Sequence, residues 1–228
     1  MTSNQAVRWV VKPVVFAAAL APAGWLAWAA YTGNLSPDPL LDITHGTGDW
    51  TLRFLCITLA ITPLRRLTGW NAFIRFRRMV GLFAFFYGSL HFLIYMLADR
   101  LAGLVEFPDG VISWDTAGRL LASIWEDVAL RLYITVGFIA LVLMVPLAIT
   151  STAGWIGRLG GKKWQALHRL VYVSAILGVI HYWWLVKADI REPAMYGAIV
   201  AVLLGFRLYV WLRRAVGGPV QPHMTAES

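Results

Sequence analysis

The stretch at 79–98, MVGLFAFFYGSLHFLIYMLA, decides the fold. It holds 20 residues without Asp, Glu, Lys or Arg, long enough at ~1.5 Å per residue to cross a ~30 Å hydrocarbon layer, and it carries a single ionisable group, His91. An isolated charge inside lipid is costly, whereas a neutral imidazole can donate through one nitrogen and ligate a metal through the other. The stretch therefore reads as a transmembrane helix built around one histidine.

The surrounding chain has the same character. Over 228 residues, 59% are hydrophobic and 14% charged, far from the roughly even apolar share and quarter charged share of soluble domains. Apolar runs bounded by charges predict helices at Val14–Tyr31, Trp50–Leu64, Met79–Ala98, Leu132–Ile149, Leu170–Val186 and Pro193–Leu212. The expectation is an all-α integral membrane protein, a bundle of six transmembrane helices forming one domain over residues 1–228. The second span is short and carries Arg53, which must face the bundle or snorkel outward.

Basic residues collect in cytoplasmic loops. The loop from Arg65 to Arg78 holds five arginines and no acid, and the 154–164 loop holds Arg158, Lys162 and Lys163. The alternate loops hold Asp38, Asp42 and Asp49, then Asp99 to Asp127, then Asp189 and Glu192. Both termini are thus expected in the cytoplasm, and the net charge of +8 reflects membrane asymmetry and anionic lipid rather than nucleic-acid binding. The first apolar segment is too long for a signal peptide and has no small-residue cleavage site, so it is expected to stay as an anchor. Many of the 12 tryptophans fall at span ends, as interfacial belts require.

Absences narrow the chemistry. Cys56 is alone, so there is no disulfide, thiolate cluster or C-x-x-C-H attachment, and any haem is b-type. No Gly-rich nucleotide fingerprint occurs, which excludes NAD(P)H binding by this chain alone.

His91, His168 and His181 lie in or beside apolar spans. His91 is thirteen residues from Arg78 and eight from Asp99, and His181 is twelve from Arg169 and six from Lys187. Both lie roughly 18 to 20 Å from the inner charges, at a depth where they can share one iron; the alternative for either alone is a hydrogen bond to a neighbouring helix. His168 lies roughly 20 Å nearer the inner side, and thirteen residues at ~100° place it about 140° around the helix from His181 unless it sits in a loose first turn. His45 stands at the outer edge of the second span, where a solvated loop residue is the plainer reading and contact with a quinone or haem propionate the sharper one. His223 lies in a polar tail, and Pro146 is a candidate kink. A carrier or channel with a histidine proton relay is the competing function; such relays use intramembrane carboxylates, which these spans lack.

Four strings, ITPLRRLTGW at 61–70, IRFRRMVGLFAFFYGSLHF at 74–92, HRLVY at 168–172 and WLVKADIREP at 184–193, resemble the haem-binding membrane subunits of bacterial periplasmic methionine sulfoxide reductase systems, within the ferric-reductase-like transmembrane group. The resemblance runs from about His45 to Leu212. It implies a multi-pass b-type cytochrome of the bacterial inner membrane with one haem or two and with His91, His168 and His181 as the haem histidines. It also implies electron delivery to MsrP, a periplasmic molybdopterin enzyme that reduces methionine sulfoxide, from the quinone pool or a cytosolic flavin reductase, with FMN as a further cofactor. Two-haem relatives carry another histidine 13 or 14 residues before the first, where this chain has Arg77 and Arg78. Arginine is a poor iron ligand, so Arg75, Arg77 and Arg78 suit a propionate, a flavin phosphate or lipid headgroups instead.

Overall fold

The computed structural model describes residue 5 and residues 7–96, 114–186 and 188–216, and all regular structure among them is helical. After a π-helical turn at Val7–Val11 come α1 (Lys12–Thr32) and α2 (Pro39–Thr68). A 3-10 turn at Asn71–Arg75 leads into α3 (Arg77–Ile94). Then follow α4 (Trp114–Leu130), α5 (Leu132–Ile149), the short α6 (Ala153–Leu159) and α7 (Gly161–Leu167), α8 (Leu170–Leu185) and α9 (Arg191–Val216). Each apolar run of the sequence lies on one of these helices. Residues 97 and 98 of the third run, the loop acids Asp99, Glu106 and Asp109, the marker Lys187 and His223 lie outside the described residues.

Two regions differ from the sequence reading. Asp42 and Asp49 are expected in a loop and His45 at the edge of a span, but the helix already begins at Pro39, and of these residues only Asp38 precedes it. Asp38 caps it, accepting from the Leu41 N–H at 3.0 Å, and Pro39 occupies the first turn, where its missing N–H costs nothing. A hydropathy pattern cannot find a first turn written in polar residues. The second difference is α4, an amphipathic helix between the third and fourth apolar runs, which exposes Leu121 and Trp125 and buries Asp127 and Val128.

Three helical segments, Trp9–Thr32, Leu132–Ile149 and Arg191–Ala215, are long and apolar enough to cross a membrane. Their outer faces are apolar: Trp28 is 63% exposed, Val202 71% and Trp211 64%, the inverse of a water-facing surface. The buried core runs through Leu59, Ala84, Tyr87 and Ala175.

The most extensive packing joins α2 to α3 and α5 to α8, and α9 closes against α2 and α8. Proline positions show how these contacts are fixed. Pro63 has no N–H to give the Leu59 carbonyl one turn earlier, and Arg207 of α9 donates to that oxygen from Nη2 at 2.7 Å. Beside Pro22 of α1, the Tyr87 hydroxyl enters the helix ladder, donating to Ala19 O at 2.8 Å and accepting from Ala23 N–H at 3.0 Å. Arg53 turns to the bundle, donating to the Tyr196 hydroxyl at 3.1 Å and lying over the Trp50 ring.

Candidate functional site

The helix pairs α2/α3 and α5/α8 each contribute one histidine to the space between them. His91 Nδ1 lies 2.8 Å from the Thr44 carbonyl of α2, and His181 Nδ1 lies 2.7 Å from the Tyr133 carbonyl of α5. A carbonyl only accepts, so each Nδ1 carries the proton and each Nε2 keeps its lone pair. The same second-shell device orients metal-binding imidazoles in general.

The local sequence allows this. In a helix the side chain four residues on covers the carbonyl of residue i, because Cα–Cβ bonds tilt toward the N-terminus. Four residues after Thr44 stands Gly48, and four after Tyr133 stands Gly137. A Cβ at Gly48 would lie 3.2 Å from His91 Nδ1, and one at Gly137 would lie 2.6 Å from His181 Nδ1. Each imidazole thus occupies the place of a missing side chain. Gly88 and Gly178, each three residues before a histidine, line the same space and admit Leu141 and Leu52.

The two imidazole centroids are 6.1 Å apart, with the rings steeply inclined at 79°. A ring nitrogen lies about 1.1 Å from its centroid and binds a metal at about 2.0 Å, so two imidazoles sharing one ion would stand up to about 6.2 Å apart. The spacing therefore fits two imidazoles that would hold a single metal ion. Around it opens a cavity of about 310 Å³, apolar at Leu52, Leu55 and Met144 and bordered by His45 and Asp49 toward the acidic side. These residues fit a large, flat, mostly apolar group with a metal at its centre.

His168 is elsewhere. It lies in the turn between α7 and α8, not on α8 itself, which removes the angular conflict with His181. Its Nε2 is 3.1 Å from Thr150 Oγ1, and its ring stacks on Trp164 with centroids 3.9 Å apart. Burial, and then the Arg77 guanidinium, hold its pKa below the usual histidine range, so it is neutral at pH 7. It lines a separate cavity of about 60 Å³ with Arg77 and Arg78. Arg75 ends the 3-10 turn and is not part of that lining. Sequence reasoning found the histidines; it missed the four glycines and the two carbonyls.

The fold and site define a class: a helical membrane protein whose central cavity is lined by two part-buried imidazoles, one from α3 and one from α8. Residues 47–179 match the family model described as ferric reductase like transmembrane component. A protein-methionine-sulfoxide reductase heme-binding subunit MsrQ from Herminiimonas arsenicoxydans is 50% identical over 209 residues, covering 90% of this chain and 88% of the relative. Its namesake from Xanthomonas euvesicatoria pv. vesicatoria is 49% identical over 224 residues (92% and 94%). A third, from Ralstonia nicotianae, is 50% identical over 204 residues (88% and 86%). The chain belongs to this MsrQ family, within the ferric-reductase-like transmembrane group.

Proposed function

We propose that the chain is the b-type cytochrome subunit of a methionine sulfoxide reductase system, carrying electrons through the inner membrane to a periplasmic molybdopterin reductase of the MsrP kind. The supporting observation is the His91–His181 pair, with its 6.1 Å ring separation and both Nδ1 atoms engaged by backbone carbonyls. The names of the relatives, heme-binding subunits, point the same way. Haem b supplies a one-electron carrier when bound.

The chain's own residues do the rest. The Thr44 and Tyr133 carbonyls accept from Nδ1 of the two imidazoles, which leaves each Nε2 as the nitrogen that would hold the iron. With His91 and His181 both holding the group, it would supply electron transfer rather than substrate chemistry, and sulfoxide reduction would belong to the partner protein. Leu52, Leu55 and Met144 keep the inner part of the cavity dry. Electrons enter from quinol or a cytosolic flavin reductase, with FMN as a bound intermediary on the side of Arg75 and His168.

In this reading the whole chain is one domain that spans the membrane six times, through α1, α2, α3, α5, α8 and α9, with both termini in the cytoplasm. A visible spectrum of the membrane-inserted protein tests the function: a reducible low-spin Soret band is expected, absent in His91→Ala and in His181→Ala. A colourless preparation after haem-replete expression would favour the proton-relay alternative.

A further inference from the structure

We propose that α4 is an interfacial helix, its exposed apolar stripe seated among the phospholipids of the leaflet that surrounds the start of α5. The inference rests on reading α5 as a membrane span. At about 100° per residue, α4 divides into three sectors. Gly118, Leu121, Ala122, Trp125 and Ala129 fall within about 60° of Trp125, and all five are exposed, Trp125 at 69%. Round to one side, Ile124 and Val128 join a small buried cluster with Met96 and Ile134. Round to the other, at about 100 to 120°, stand the exposed Arg119 and Glu126. One side of the helix therefore meets the bundle, and an uncharged apolar stripe separates that side from a charged edge. A helix lying in the plane of a membrane surface has this arrangement, with its charges in water and its stripe in the headgroup and acyl boundary.

Continuity with α5 names the occupant. Arg131 alone separates the two helices, and its extended backbone breaks the one from the other. The exposed side chains of α5 are Leu132, Ile139, Val142, Val145 and Ile149, a single apolar stripe. From Leu132 to Ile149 that stripe is about 26 Å long at ~1.5 Å per residue, close to the thickness of a hydrocarbon layer. Leu132, 70% exposed, thus marks one edge of the layer, and α4 ends two residues before it. Asp127 holds α4 at this level: it accepts from the Tyr95 hydroxyl at 2.7 Å and pairs with Arg131 Nε at 3.2 Å. Trp125 is then at the depth where an indole ring meets headgroups. A protein covering the α4 stripe would have to displace lipid from Leu132 as well. Tyr95 and Ile134 also line the large cavity, so the lipid-seated helix stands directly behind the wall of the histidine site.

The test uses the full chain in phosphatidylglycerol and phosphatidylcholine vesicles, with a nitroxide on one introduced cysteine at a time: Leu121→Cys, Trp125→Cys, Glu126→Cys or Ile139→Cys. Wild type, whose one cysteine is the buried Cys56, is the labelling blank. Power-saturation EPR compares collisions with oxygen, which concentrates in lipid, and with a nickel chelate, which stays in water. The oxygen-to-nickel ratio should be several-fold higher at 121 and 125 than at 126, a depth of about 5 to 10 Å, and highest at 139. Nickel access at 121 and 125 equal to that at 126 overturns the proposal, because the stripe then faces water. Low collision rates with both reagents at 121 and 125 overturn it too, because protein, a second copy included, then covers the stripe. If either result comes with an oxygen-rich label at 139, the span of α5 stands and only α4 is reassigned. A nickel-accessible label at 139 overturns the span and the proposal together. Should Trp125→Cys fail to insert, Leu121→Cys decides against the same reference.

Discussion

Gly137 governs how closely α5 can approach His181. A methyl there would stand 2.6 Å from Nδ1, inside any tolerable contact, so Gly137→Ala should push the imidazole off its carbonyl and abolish the low-spin signal. Gly48→Ala meets His91 at 3.2 Å, a contact that a few tenths of an ångström relieve, and should leave a weakened but visible signal. Absorption spectra of the two variants at equal membrane insertion check the order; a wild-type spectrum for Gly137→Ala would show that the ring does not sit against α5. The histidines were legible from their depth between flanking charges. Their acceptors were not, because a backbone carbonyl has no sequence signature.

Among the helices, α2 depends most on its neighbours. Pro63 leaves the Leu59 carbonyl bare, and Arg207 covers it from α9. An unsatisfied buried acceptor costs about 1 to 3 kcal/mol, so Arg207→Met should be destabilising, and less so in a Pro63→Ala background, where the restored N–H can serve Leu59. A double-mutant cycle on thermal melts, with a coupling of about 1 kcal/mol or more, is the expected result; strict additivity would remove the bond from the account. Hydropathy showed where α5 and α8 lie, since their apolar runs end at charges. It did not show the polar first turns of α2, which are set by the Asp38 cap, nor α4, whose amphipathic stripe needs a partner surface before it acquires meaning.

For the molecule as a whole, the arginine cluster of the 65–78 segment lies at one end of the bundle and the acids of 38–49 and 189–192 at the other, and this asymmetry sets the expected topology. Reporter fusions at Ser228 and in the 65–78 loop should read cytoplasm, and one near Asp109 periplasm; a periplasmic C-terminus would break the six-span map. The two cavities define two layers, one holding the His91–His181 pair and the other His168 with its arginines. His168→Ala should therefore spare the low-spin spectrum while slowing reduction from the cytoplasmic side. Loss of all low-spin signal from an inserted His168→Ala protein would mean that the layers are not independent.

What the sequence by itself determined was the solvent and the candidates. Long uncharged runs have one stable solution in lipid, hydrogen-bonded helices, and an imidazole in such a run demands a partner wherever the helix packs. What only the tertiary structure decided was the partner. The Thr44 carbonyl meets His91 across 47 positions of sequence and the Tyr133 carbonyl meets His181 across 48, through helix contacts that no local pattern encodes. The physical reason is that pairing depends on which faces two helices turn to each other and how near a missing Cβ lets them come, and both are properties of packing rather than of either helix alone.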